Sequence, residues 1–422
     1  MSKELKKNIQ LKFGRPIRLQ RDLIDLKEDI YFVTGEILGF NTLRRFYGFL
    51  KHVEPQRKTL NILSNYVGFR TYNKFLNKDK IDLLWKSWNY LNKFLKQNNY
   101  VESDFNWLIE LKSKDYYYLL ISRIISEFFV VKSYRNLDIL FSCQKLFSIN
   151  KREVTAKITT TLNNELLNLS NNELQKLHFL LKNQTFREIA LYGWVEMDNA
   201  KSYHGSLIFN SKKYIENEDE ALFTNLYFLL LNFLDNKTVI FPSKLTLPEN
   251  CHPILLGRYW SIQMICFRND REYILNKILS IAKEIDSKNE FFQEIIPVLM
   301  LLKNVSAIEK ILENYYEELI DYFDWDHISI ERYNLMALAL VYIKKENYLS
   351  LDQLFDSFNI DEEFHYNNNY QKLFYSIALY HFRKQSSEKE ILIDQAEDMY
   401  NYYAKKLGFK YFDEDFLINY LK

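Results

Sequence analysis

Apolar side chains recur at intervals of three and four along most of this chain, and no stretch keeps the alternation of a strand for long. Such a pattern builds packed helices. Interruptions are scarce, with nine glycines and six prolines in 422 residues. A Gly-dependent α/β enzyme needs more of both, whereas long helices with few breaks need little of either. The predicted fold class is all-α.

The stretch from Leu26 to Gly68 is the most informative about function. It predicts three short helices, each closed by suitable punctuation. Lys27–Thr34 ends at Gly35, because glycine accepts the left-handed stop without steric cost. Asn41 is expected to cap a second helix, Thr42–Tyr47, which ends at Gly48. Pro55 breaks the chain before a third, Lys58–Val67, which ends at Gly68.

On the middle helix, Leu43, Phe46, Tyr47 and Leu50 fall on one side, and Asn41, Arg44, Arg45 and Gly48 on the other. One face is apolar enough to bury. The opposite face carries two guanidinium groups, a carboxamide and no acid. Arginine forks suit phosphates and guanine edges, and asparagine suits adenine edges. A short helix set across its predecessor with such a face has what the second helix of a helix-turn-helix requires.

The run TGE, turn, NTLRRFYGF, PQRKTLNILSNYVGF resembles the Cro-like, phage-repressor class of helix-turn-helix domains. In that class a Thr-Leu-Arg-type helix is followed by a Pro and a Thr-Leu-x-x-Leu helix ending in Gly. The stretch is also similar to the N-terminal region of poorly characterised bacterial proteins that join such a head to a long helical body. The resemblance covers residues 13–76. It departs from the pattern in the turn, where Glu36-Ile37-Leu38-Gly39-Phe40 is longer and more apolar than usual. It implies binding of double-stranded DNA. Asn41, Thr42, Arg44 and Arg45 would lie in or near the major groove, and Lys51, Arg57 and Lys58 would contact flanking phosphates. Dimerisation is expected, because one short helix reads only a few base pairs. The competing reading is a small helical domain used for protein contacts, with Arg44 and Arg45 merely solvated.

Charge is distributed accordingly. The whole chain is at +1. Residues 1–80 hold 17 Lys and Arg against 8 Asp and Glu, a net +9, and the remainder holds 39 against 47, a net −8. A basic head on an acidic body is an electrostatic footprint for a polyanion at one end. The first twelve residues are polar and basic and read as a frayed arm. Arg18–Ile24 is expected to form the first helix of the head.

The organisation expected is a head at 1–78, a connecting helix at 79–100 with Trp85 and Trp88 packed, and a helical body in two parts, 101–240 and 241–422. The irregular stretch Asp235–His252, with Pro242 and Pro248, is a candidate boundary between the two parts or a long loop crossing one face. In the last third, helices at Glu331–Lys345, Leu351–Asn359, Tyr370–Lys384 and Glu388–Leu407 suggest tetratricopeptide-like hairpins, with Ala337, Ala339, Ala378, Ala396 and Ala404 where helices cross closely. The Trp-x-x-Leu-Gly-x-x-Tyr signature and a strict 34-residue period are absent. The expectation is therefore an irregular α-solenoid.

Catalytic motifs fail one after another. There is no P-loop, no Gly-x-Gly-x-x-Gly, no Gly-x-Ser-x-Gly elbow, no His-Glu-x-x-His and no Arg-x4-His. Cys143, Cys251 and Cys266 are too widely spaced for a zinc site or a disulfide framework. Cys251-His252 is an adjacent thiol and imidazole, but sequence neighbours rarely face each other as nucleophile and base. The acidic runs Glu216–Glu220 and Asp361–Glu363 are expected at helix starts. Neither a cofactor nor a metal is predicted. The N-terminus has no apolar signal core, and Leu222–Leu234 is too short to cross a bilayer. The sequence thus predicts a cytoplasmic, non-enzymatic, DNA-binding transcriptional regulator. Its helical body would sense a peptide, protein or other ligand and self-associate, with no membrane contact. The alternative is a cytoplasmic helical-repeat scaffold without DNA binding.

Overall fold

The computed structural model describes residues 2–51, 53–76, 78–148, 152–193, 195, 197–321, 328–357, 368–386 and 389–422. Among these residues all regular structure is helical. They form two compact units, Met1–Gln97 and Asn98–Lys422.

The first unit consists of α1 (Ser2–Phe13), α2 (Asp22–Thr34), α3 (Phe40–Tyr47), α4 (Arg57–Tyr66), α5 (Tyr72–Leu76) and α6 (Lys78–Phe94). The three expected glycine stops are present. Gly35 donates to Tyr31 O at φ +70°. Gly48 and Gly68 close Schellman turns: Gly48 N donates to Arg45 O and Phe49 N to Arg44 O, as Gly68 N does to Asn65 O and Phe69 N to Ser64 O. Two expectations are corrected. The first residues are not frayed, since Leu5 and Ile9 of α1 are fully buried in one core with Leu23, Leu26 and Ile30 of α2, Leu43 and Phe46 of α3, and Leu63 and Tyr66 of α4. Nor is Arg18–Ile24 a separate helix. Asp22 accepts from the backbone of Arg18 and Leu19 at 3.0 and 2.7 Å, which forms a turn, and α2 then runs unbroken to Thr34. Those two hydrogen bonds hold the Asp22 carboxyl below the usual range.

In α6, Leu91 and Phe94 are buried. Trp88 is half-buried, but Trp85 is 65% exposed and does not pack as expected.

In the second unit, helices pack in pairs: Tyr117–Val130 with Arg152–Leu167 beyond two shorter helices, Val305–Tyr316 with Ile328–Lys344, and Asn368–Gln385 with Glu390–Leu407. Pro253–Cys266 and Lys288–Leu301 also pack closely. A Cβ on Gly257 would lie 2.2 Å from Phe291 O, so only glycine permits this approach. The stretch Asp235–His252 is irregular, as its prolines predict, while the Glu218–Leu234 and Pro253–Cys266 helices on either side of it pack together. Ala337, Ala339, Ala378, Ala396 and Ala404 are buried, on helices that pack against one another. The Tyr134–Ser142 helix breaks at Cys143 before Gln144–Phe147, and Gln184–Arg187 is followed by a π-helical turn, Glu188–Tyr192. The ends of the helices expected at Leu351–Asn359 and Glu388–Leu407 reach outside the described residues, as does the whole of Asp361–Glu363.

Partners distant in the sequence fix this unit. Asp198 accepts from the backbone of Asn369 and Tyr370 at 2.9 and 3.0 Å and so caps a helix 171 positions away. Tyr411 and Tyr420 donate their hydroxyls to Leu301 O and Met300 O at 2.8 and 2.6 Å. The Lys288–Leu301 helix thereby gives its last carbonyls to two tyrosines more than a hundred residues on.

Candidate nucleic-acid interface

Leu43 and Phe46 anchor α3 in the first unit's core, so the opposite face is presented outward. Asn41 and Arg45 are exposed, while Thr42 and Arg44 are half-buried. Asn41 is not the cap of this helix. Gly39 takes the capping position with extended backbone and no side-chain cap, and Asn41 lies inside the first turn. Its Oδ1 accepts from Arg44 Nη1 at 3.1 Å. The Arg44 guanidinium also lies over the Phe40 ring, 5.8 Å from the centroid, with Nε buried and without a hydrogen-bond partner. Arg44 is thus folded along its own helix, and Arg45 reaches into solvent.

The turn before α3 is held by Thr34, whose hydroxyl donates to Ile30 O at 2.7 Å and accepts from Glu36 N at 3.2 Å. Leu38 inserts into the core and is 4% exposed, which explains why this turn is more apolar than a tight turn requires. Ile37, beside it, is 73% exposed.

Lys51, Arg57 and Lys58 are all exposed. Arg57 and Lys58 open α4, whose first turn has no acid and no side-chain cap. Unpaired N–H groups at a helix start, flanked by basic side chains, suit a phosphate. Both α3 and α4 pack on α2, and Tyr66 of α4 donates its hydroxyl to Asp29 of α2.

One basic element was expected to be loose and is not. α1 brings Lys6 over the rings of Phe46 and Tyr47, 5.2 and 5.9 Å from their centroids, and Lys12 over Tyr66 at 5.1 Å. The available signal was the four-residue spacing of Leu5 and Ile9. Arg15, by contrast, forms an ion pair with Asp25.

Elsewhere the singled-out groups have structural surroundings. The His252 ring accepts from Ile254 N at 3.3 Å and caps a helix, and burial pushes the Cys251 thiol up to about 11, so the adjacent pair is not arranged as base and nucleophile. The Glu216–Glu220 run leads into the Glu218–Leu234 helix as expected, where Asn217 accepts from Glu220 N at 2.9 Å. Tyr117 and Tyr400 are buried and donate to Leu146 O and Asp413 O. Among the described residues no three His, Cys, Asp or Glu side chains are grouped to hold a metal ion, and no helix is long and apolar enough to cross a membrane.

Searches of protein-family models, of curated proteins and of solved structures found no significant match to this chain.

Proposed function

We propose that this chain is a non-enzymatic DNA-binding transcriptional regulator. The α2–α3 pair acts as a helix-turn-helix, and the 98–422 unit is an irregular α-solenoid of tetratricopeptide-like hairpins that senses a ligand or partner and mediates self-association. The reading is carried by α3, an anchored helix whose outward face holds Asn41, Arg44 and Arg45 without an acid. Arg45 and Asn41 approach base edges, Arg44 and Thr42 lie beside them, and Lys51, Arg57 and Lys58 contact flanking phosphates. The net +9 of residues 1–80 supports the same assignment.

The test is a salt titration of duplex-DNA binding by the full chain and by an Arg44→Ala/Arg45→Ala variant. A steep salt dependence that becomes shallower in the variant is the expected result. Absence of binding at low salt, or superimposable curves, would overturn the role of α3.

A specific observation favours the second reading, a helical scaffold. α2 exposes Ile24, Tyr31 and Phe32 on one side, with Phe32 89% exposed. An apolar stripe of this kind suits a protein contact better than a phosphate backbone. In that case the head binds no DNA, and the substitutions at Arg44 and Arg45 change nothing.

A further inference from the structure

The stretch that follows the Glu218–Leu234 helix stands out in a chain of helices. Residues 237–242 run without helix, turn or sharp bend. Thr238, Val239 and Ile240 are successive β-branched residues, which favour extended backbone. The segment is tied at both ends. Lys237 N donates to Asn232 O at 2.9 Å, and Asn236 Nδ2 donates to Lys410 O at 3.1 Å. The Phe241 ring packs on those of Tyr259 and Phe267, with centroids 5.3 and 5.8 Å apart. Between these ties, the backbone N–H and C=O groups of Thr238, Val239 and Ile240 have no hydrogen-bond partner among the described residues. Thr238 is exposed, and Ile240 is 76% exposed. An anchored segment with free backbone groups is a template for a second strand.

A cavity of about 330 Å³ lies beside this segment, at the small end of the range for ligand sites. Thr238 and Val239 are part of its wall, and the end of the Pro253–Cys266 helix forms another part. Phe233, Val239 and Ile265 give the wall an apolar portion. Its charged residues are Lys237 and Arg268, with no acid in the lining. Both are exposed. Arg268 has no ion-pair partner among the described residues. Lys237 has a loose one, its Nζ 3.8 Å from Asp235 Oδ2, while Lys201 already holds the other oxygen of Asp235 at 2.5 Å. The chain beyond residue 80 is at −8, so this basic spot runs against its surroundings. Two cations beside a free backbone edge are complementary to an occupant that carries carboxylates.

We propose that residues 238–240 pair with an extended acidic segment of a partner protein. The partner's backbone exchanges hydrogen bonds with these residues, its carboxylates meet Lys237 and Arg268, and an apolar side chain enters the cavity against Phe233, Val239 and Ile265. Main-chain pairing supplies affinity in such a mode, and the side chains supply the choice of partner. An inorganic anion would meet the cations but offer the free carbonyls nothing. A basic peptide could pair its backbone but would be repelled by the two cations. Because the receiving segment is tied at both ends, little of it has to be ordered on binding. The inference rests on the sensing role proposed for the 98–422 unit and names the chemistry of its partner. Its binding requires no DNA, so either proposal can fail without the other.

Titration of the full chain into a fluorescently labelled, end-blocked peptide of alternating valine and glutamate, read by anisotropy, tests it. Saturable binding is the expected result. Lys237→Gln with Arg268→Gln should weaken it at least about tenfold, a loss of about 1.4 kcal/mol or more. A valine–glutamate peptide with N-methylated backbone amides keeps the charge and loses its main-chain donors, and it should also bind at least about tenfold more weakly. Inorganic phosphate at matched ionic strength should not displace the peptide. Five outcomes overturn the proposal: no saturable binding, equal affinity for a valine–lysine peptide, equal affinity in the Lys237/Arg268 variant, equal affinity for the N-methylated peptide, or displacement by phosphate. The N-methyl comparison alters only the probe, so the test stands even where the substituted chain fails to fold.

Discussion

Arg44 donates from Nη1 to the side-chain oxygen of Asn41, 3.1 Å away and one turn earlier on α3. Under the proposed function the two residues would meet DNA as one unit, whereas Arg45 stands exposed beside them. Single substitutions at Asn41 and Arg44 should not add: the double-mutant cycle for duplex-DNA affinity is predicted to show coupling of about 0.5–1 kcal/mol. Arg45 paired with either should be additive. Additivity within the Asn41–Arg44 pair would separate their roles.

Gly48 ends α3 at φ +89°, where an added Cβ is strained even though no atom lies within 4 Å. Gly48→Ala is predicted to destabilise the head by about 1 kcal/mol. Gly39→Ala is the matched control. Gly39 has φ −66° and ψ 137°, an ordinary capping conformation, and its new Cβ would meet only Thr42 Oγ1 at 3.3 Å. Thermal unfolding of the two variants should separate them, with Gly48→Ala the lower.

Arg187 and Glu220 form a buried pair, each side chain 4% exposed, and Arg187 also donates to Leu181 O at 2.8 Å. Burial raises the Glu220 carboxyl, against the opposing pull of Arg187. Arg187→Ala leaves a carboxylate without its cation and should cost about 3–5 kcal/mol by denaturant unfolding. Arg187→Met with Glu220→Leu should cost distinctly less than the sum of the single changes. A simple sum would mean the pair is not coupled.

His381 is buried and donates from Nε2 to Leu417 O at 2.9 Å. Burial pushes its imidazole down to about 4, below the ordinary value of 6.5. Above the unfolded value both states are neutral, and the contribution of this site is complete. As pH falls from about 6.5 to about 4 the unfolded chain takes up a proton that the folded chain refuses, and up to roughly 3 kcal/mol of stability is lost. His381→Gln keeps a donor and cannot titrate, so its stability should vary less with pH across that window. Parallel pH profiles for the two proteins would refute the assignment.

The parts of this fold that were legible in the sequence are those decided locally. Gly35, Gly48 and Gly68 stop helices because of their own backbone freedom, and Leu43 and Phe46 point inward because of helical spacing. What depends on distant partners was not legible. α1 looked loose because its hold on the core comes from Leu5 and Ile9 meeting residues of α2, α3 and α4. Asn41 looked like a cap because its side chain suits that role, but the cap falls two residues earlier, at Gly39. On the body, Glu188–Tyr192 has the apolar spacing of an ordinary helix, and nothing local marks its wider turn. Arg258 and Glu294 stand 36 positions apart, so their pair could not be read from either residue.

The hydroxyls of Tyr411 and Tyr420 reach back 110 and 120 positions to the end of the Lys288–Leu301 helix. A ribosome releases a chain from its beginning, and domains tend to fold in the order they emerge. Residues 1–97 can reach their packed state while the rest is still being made. The 98–422 unit cannot complete its contacts until Tyr420 has left the exit tunnel. Nascent chains halted before that point should expose the apolar surface that Phe412, Phe416 and Tyr420 otherwise cover, and they would be the natural clients of a chaperone during synthesis.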